Sequence, residues 1–185
     1  MERFVRTGLL AVACLAASPA HSQQRPVYQV PASGVSLSSG DSWAYGGTRF
    51  RLYGIQACLR GTFFTDAAGQ KADCGEASLA YLAAILKDTH PACAAVAQLS
   101  VPADPVDGTM IVVCGAKVGT SVLDLGTILI TQGFAFASYS KDGKPAYAPY
   151  VVAEQQAARR KAGLWAYADL PHPNEILLEA ARARQ

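Results

Sequence analysis

Cysteines stand at positions 14, 58, 74, 93 and 114, and their placement constrains this chain more than any other feature. Cys14 lies in a segment with the marks of an export signal. Arg3 and Arg6 give a positive start, Gly8 to Ala17 an apolar stretch, and Ser18-Pro19-Ala20 the small residues a signal peptidase reads. Ala20-His21-Ser22 offers a second cleavage frame. The stretch is too short to span a bilayer, so residues 1–22 are expected to be removed and the protein to be periplasmic or secreted, with no transmembrane helix. Ala11-Val12-Ala13 matches a lipoprotein signal poorly, so no lipid anchor is expected at Cys14. Cys58, Cys74, Cys93 and Cys114 then remain, an even number in an oxidising compartment and without the Cys-x-x-Cys pairs that zinc favours. Two disulfides are expected, with three connectivities open.

The 185 residues are 51% hydrophobic and 16% charged, a balance that excludes disorder, collagen and coiled coil and suits one domain with a real core. Cleavage after residue 22 takes Glu2, Arg3 and Arg6 and lowers the formal charge from +2 to +1. A duplex-binding protein usually recruits many cations to phosphate, so nucleic acid is disfavoured as a partner.

Residues 23–33, with Pro26 and Pro31, read as an extended lead-in. From Gly34 to Ile55 apolar and polar residues alternate, and Gly46-Gly47 marks a hairpin. Residues 57–73 read as a long loop. Asp73 then caps a first helix bearing a stripe of Leu79, Leu82, Ala83 and Leu86, and Glu76 in its first turn complements the helix dipole. Residues 92–101 and 110–116 read as a hairpin joined by a Pro/Asp/Gly turn. Asp124 caps a second helix ending at Gly133, a third runs from about Pro149 to Gly163, and a last short one starts at Asn174. The order β-β-β-α-β-β-α-α-α has no regular βαβ alternation, so the class is α+β.

That order and several short segments together resemble the staphylococcal-nuclease (thermonuclease) family. The segments are Gly40-Asp41-Ser42, Phe50-Arg51-Leu52, Cys74-Gly75-Glu76-Ala77-Ser78, residues 129–137 (LITQGFAFA) and residues 157–165 (AARRKAGLW). They span residues 34–167, the expected domain, leaving 168–185 as a helical tail. The resemblance implies an oligonucleotide-binding-type five-stranded β-barrel with three packed helices.

It also implies a set of roles. Phosphodiester cleavage in this family uses calcium, a carboxylate that handles the attacking water, and two arginines on the phosphate. A hard cation wants several anionic oxygens, and charge builds on the phosphoryl oxygens in the transition state. Asp41 falls at the first calcium carboxylate and Arg51 at the first catalytic arginine. Where the family carries Val-Asp-Thr-Pro-Glu this chain reads Ile55-Gln56-Ala57-Cys58-Leu59, so Gln56 replaces a calcium ligand and Leu59 the catalytic glutamate. Thr109 stands at the second arginine. Loss of such elements costs roughly 10²–10⁴-fold each. The family architecture further implies the pairings Cys58–Cys74 and Cys93–Cys114.

Other constellations add little. His90 and His172 read as exposed loop residues, no serine sits in a Gly-x-Ser-x-Gly elbow, and Arg159-Arg160-Lys161 reads as the solvated end of a helix. The expectation is an exported, thermonuclease-like pseudo-enzyme, a non-catalytic binding or assembly module of the cell envelope whose partner is an envelope protein or polysaccharide. It needs no cofactor. Two alternatives stand beside it: a calcium-dependent nuclease rebuilt around Asp41, Arg51 and Arg60, and an accessory protein of exopolysaccharide biosynthesis.

Overall fold

The computed structural model describes residues 26–99, 108–140 and 142–184. The expected export signal, with Cys14 and His21, and most of the Pro/Asp/Gly turn before Thr109 lie outside the described residues.

Local sequence signals start the fold. β2 (Ser36–Ser39) turns at Gly40-Asp41 into β3 (Ser42–Tyr45), and Gly46-Gly47, both at positive φ, reverse the chain into β4 (Thr48–Leu52). The resulting register sets Trp43 opposite Phe50, and their rings stack with centroids 5.7 Å apart. α1 (Cys74–Thr89) begins where the Asp73 carboxylate accepts from the Glu76 N–H at 3.0 Å. Beyond it run β8 (Ala92–Leu99), β9 (Thr109–Val118) and β10 (Ser121–Asp124). Asp124 caps α2 (Leu125–Thr131) by accepting from the Thr127 N–H at 2.7 Å. α3 (Ala148–Arg159), a 3-10 turn (Gly163–Ala166) and α4 (Pro173–Arg182) complete the helical part.

The class is α+β, as expected, with a curled half-barrel sheet and four α-helices among the described residues. The main sheet runs β1 (Val27–Gln29), β8, β9, β4, β3, β2, with β10 added to the far end of β9; the β4–β9 pair is parallel and the other pairs antiparallel. Its inner face closes on α1 and α2 over Trp43, Phe50, Leu52, Leu82, Leu86, Val112, Leu125, Leu129 and Ile130, all buried.

Several segments differ from the sequence reading. The lead-in contains a strand, β1 (Val27–Gln29), paired with β8. At the entry to the expected loop lies β5 (Ile55–Ala57), which pairs with β11 (Ala135–Ala137), and the loop itself contains a hairpin of β6 (Phe63–Thr65) and β7 (Lys71–Asp73). The third helix ends at Arg159, because Lys161 and Gly163 take positive φ and turn the chain. The start of the supposed tail is built into the domain: Asn174 Nδ2 donates to the Ala137 carbonyl at 2.8 Å, and Asp169 holds the β6–β7 hairpin.

Both disulfides pair as the resemblance implies, Cys58–Cys74 and Cys93–Cys114. The second links directly opposed residues of β8 and β9 inside the main core. The first ties the end of β5 to the start of α1 and lies in a smaller cluster with Phe64, Phe136 and Leu164. No helix among the described residues is long and apolar enough to cross a membrane.

Candidate functional site

The β2–β3 turn and β4 bring three of the singled-out residues together: Asp41, Arg51 and Gln56. Asp41 is 3% exposed at the turn. It is held there by the Leu52 N–H, which donates to its carbonyl at 2.9 Å. Gly40 makes the turn fit, since a Cβ at this position would stand 2.5 Å from Ser78 Cβ on α1. Arg51 lies opposite Ser42 in the β3–β4 register and reaches back over the turn. Its Nε and Nη2 donate to Asp41 Oδ2 at 3.1 and 3.0 Å, while Ser39 Oγ donates to Oδ1. The second use of Nη2 is Gln56 Oε1 at 3.1 Å, and the Gln56 amide donates to the Ala57 carbonyl at 2.9 Å.

This is a charge-assisted network. Both carboxylate oxygens of Asp41 accept from protein donors, and the neutral oxygen of Gln56 accepts from the same guanidinium. The donor set does not fit a calcium ion of the family type. It offers one carboxylate, already matched by an arginine, and one amide oxygen, whereas calcium takes six to eight oxygens with carboxylates prominent among them.

The remaining site positions lie around this trio. Thr109 opens β9 opposite Arg49 in the parallel register, and a groove of about 330 Å³ is lined by Ser38, Ser42, Arg49, Arg51 and Thr109 over the rings of Trp43 and Phe50. Arg51 is 42% exposed along this groove. Leu59 follows the first disulfide in a turn, where its carbonyl accepts from Thr62 Oγ1 at 2.6 Å; its apolar side chain can handle no proton. Arg60 points to α1, with Nε 3.3 Å from Glu76 Oε1, and no hydrogen bond or ion pair joins it to Asp41 or Arg51. Asp73 at the same foot of the loop is also tied down. Burial pushes its carboxyl up, but the backbone N–H groups of Glu76, Gly61 and Gly75 outweigh this and hold it below the ordinary value.

His90 is exposed, as expected, at the C-terminal end of α1. His172 is a correction: its side chain is only 20% exposed, and Nε2 lies 3.0 Å from Glu154 Oε1. The ring packs edge-on to Phe136 and tilted against Trp165. Glu154 Oε2 accepts from the Ala137 N–H at 2.6 Å, so the pair braces α3, β11 and the chain before α4. Neighbouring signals gave no warning, because the partner lies 18 residues away. Among the described residues no group of three His, Cys, Asp or Glu side chains converges as a metal site.

No protein-family model matches the chain, and no curated protein matches it.

Proposed function

We propose that this chain is an exported, staphylococcal-nuclease-like domain that binds through its old substrate groove and does not cut. The α+β class, the curled sheet and the two disulfides support that reading, the last because disulfides persist in oxidising compartments. The barrel of the family would then correspond to β2, β3, β4, β8 and β9. The observation that carries the proposal is the Arg51 guanidinium bridging Asp41 and Gln56. Asp41, at the cation-gathering position, is neutralised by Arg51, at the phosphate-binding position, and Leu59 and Thr109 supply neither a base nor a phosphate clamp. Beside them runs a polar groove lined by Ser38, Ser42, Thr109, Arg49 and Arg51. Such a surface suits an anionic stretch of an envelope polysaccharide or protein, held by charge and hydroxyl contacts.

The experiment is a pair of assays on the oxidised protein. Single-stranded DNA and RNA are incubated with calcium or chelator, and acidic polysaccharide and oligonucleotide are titrated by calorimetry at two salt concentrations. The expected result is no calcium-dependent product and saturable, salt-sensitive binding to acidic polysaccharide that Arg51→Ala weakens. Preference for oligonucleotide over polysaccharide would shift the partner to nucleic acid. Calcium-dependent cleavage would overturn the proposal.

A further inference from the structure

A second cleft of about 420 Å³ opens between the turn after β4, the middle of β9 and the first turns of α2 and α3. Its size falls in the range of small-molecule sites, roughly 300–1,000 Å³. Three tyrosines, Tyr53, Tyr147 and Tyr150, line it with Val113, Pro149, Thr127 and Asp124. The lining holds one carboxylate and no Lys, Arg or His. We propose that this cleft binds a quaternary ammonium group of the choline type, with Asp124 as counter-ion and the tyrosine rings as walls.

The bonding of Asp124 leaves one oxygen for a ligand. Oδ1 accepts three donors: the Thr127 N–H at 2.7 Å, Thr127 Oγ1 at 2.9 Å and the Tyr150 hydroxyl at 2.7 Å. No described residue donates to Oδ2. The rings are held in place by their own hydroxyls or neighbours. Tyr53 donates to the Ala146 carbonyl at 2.8 Å, and Tyr147 meets Tyr150 edge-on with centroids 4.8 Å apart. Gly126 is needed for this arrangement, since a Cβ there would stand 2.2 Å from the Tyr150 hydroxyl oxygen. Burial and the neighbouring Asp124 push the Tyr150 hydroxyl far above the ordinary tyrosine value, so it stays a proton donor and Asp124 carries the charge of the cleft.

Chemistry selects among cations. A guanidinium brings five N–H donors and a primary ammonium three, and walls of tyrosine carbon, valine and proline leave most of them unanswered. A quaternary ammonium has no N–H and spreads its charge over methyl groups. It loses little on entering an aromatic site and is drawn to ring faces by their quadrupole. An anion is opposed by Asp124. A neutral ligand of the same shape would be held by contact area alone.

The test titrates the oxidised protein with choline and tetramethylammonium, and with 3,3-dimethyl-1-butanol, the neutral carbon analogue of choline. Binding is followed by calorimetry and by tyrosine ring signals in NMR spectra. Asp124→Asn removes the charge yet keeps a side chain that caps helices about as well, so α2 should survive; Tyr147→Leu, at an exposed position, removes a wall. Choline should bind at least about fivefold more tightly than its neutral analogue, and each substitution should weaken choline by a similar factor. Asp124→Asn should leave the neutral analogue unchanged. Equal binding of choline and the analogue, indifference of choline to both substitutions, or no saturable binding of either cation in the millimolar range would overturn the proposal. None of these outcomes depends on whether the arginine groove cuts or binds polymers.

Discussion

Asp41 is a buried carboxylate whose charge is matched by one partly exposed arginine. Removing the cation from a buried pair leaves an uncompensated charge, a loss worth about 3–5 kcal/mol in a dry interior and less where water reaches one partner. Arg51→Ala is therefore expected to destabilise by about 2 kcal/mol, read as a lower urea midpoint with unchanged slope. Gly40→Ala should cost about 1–3 kcal/mol by forcing α1 off the turn, again by urea unfolding; the space requirement at Ser78 leaves no softer outcome. At this scale the turn at Gly40-Asp41 was legible because it sits in a short pattern of local residues, whereas the Asp41–Arg51 pair needs β4 to fold back beside that turn. The Arg51–Gln56 bond was not legible, since it needs the chain to double back through Gly54 into β5. His172 was misread for the same reason: its burial comes from Phe136 and Trp165, and its ion partner from α3.

Among elements, helix starts were the most readable part of the fold. Asp73 and Asp124 cap from three residues away, a distance at which sequence alone specifies the bond. The three-residue strands β1, β5, β6, β7 and β11 were invisible, because so short a strand is defined by its partner and carries almost no periodicity of its own. The β6–β7 hairpin is held from outside by Asp169, which accepts from the Thr65 N–H at 2.9 Å, Thr65 Oγ1 at 2.7 Å and Lys71 Nζ at 3.1 Å. Those contacts, the Thr65 N–H foremost, hold the Asp169 carboxyl well below the usual carboxylate range. A carboxyl depressed in the fold adds stability above its unfolded value, near 3.9, and loses it as pH falls through the folded value. Asp169→Asn should therefore narrow the stability gap between about pH 5 and about pH 3, measured as urea midpoints across that range. Each disulfide closes a loop of 16 or 21 residues. By chain entropy, the Cys58→Ser/Cys74→Ser double variant should lose about 3 kcal/mol, visible in the same unfolding experiment, while the sheet disulfide stays closed.

For the whole molecule, near-neutral charge and a neutralised site point the same way. The sequence carries a formal charge of +2, too little for a broad electrostatic hold on phosphates. The groove over Trp43 and Phe50 holds Arg51 already paired with Asp41, which suits a short anionic stretch and gives no broad hold on phosphates. The α+β class followed from element order alone. The docking of the chain before α4 depends on contacts far apart in sequence, such as His172 with Glu154 and Asn174 with Ala137, and no pattern within a window could give them. The proposal is that this site does not cleave phosphodiesters. It is tested most directly by the calcium-dependent cleavage rate of single-stranded DNA, measured on the oxidised protein beside a chelator control. The same rate is expected with and without calcium. A calcium-dependent rate that disappears in both Asp41→Ala and Arg51→Ala would contradict it.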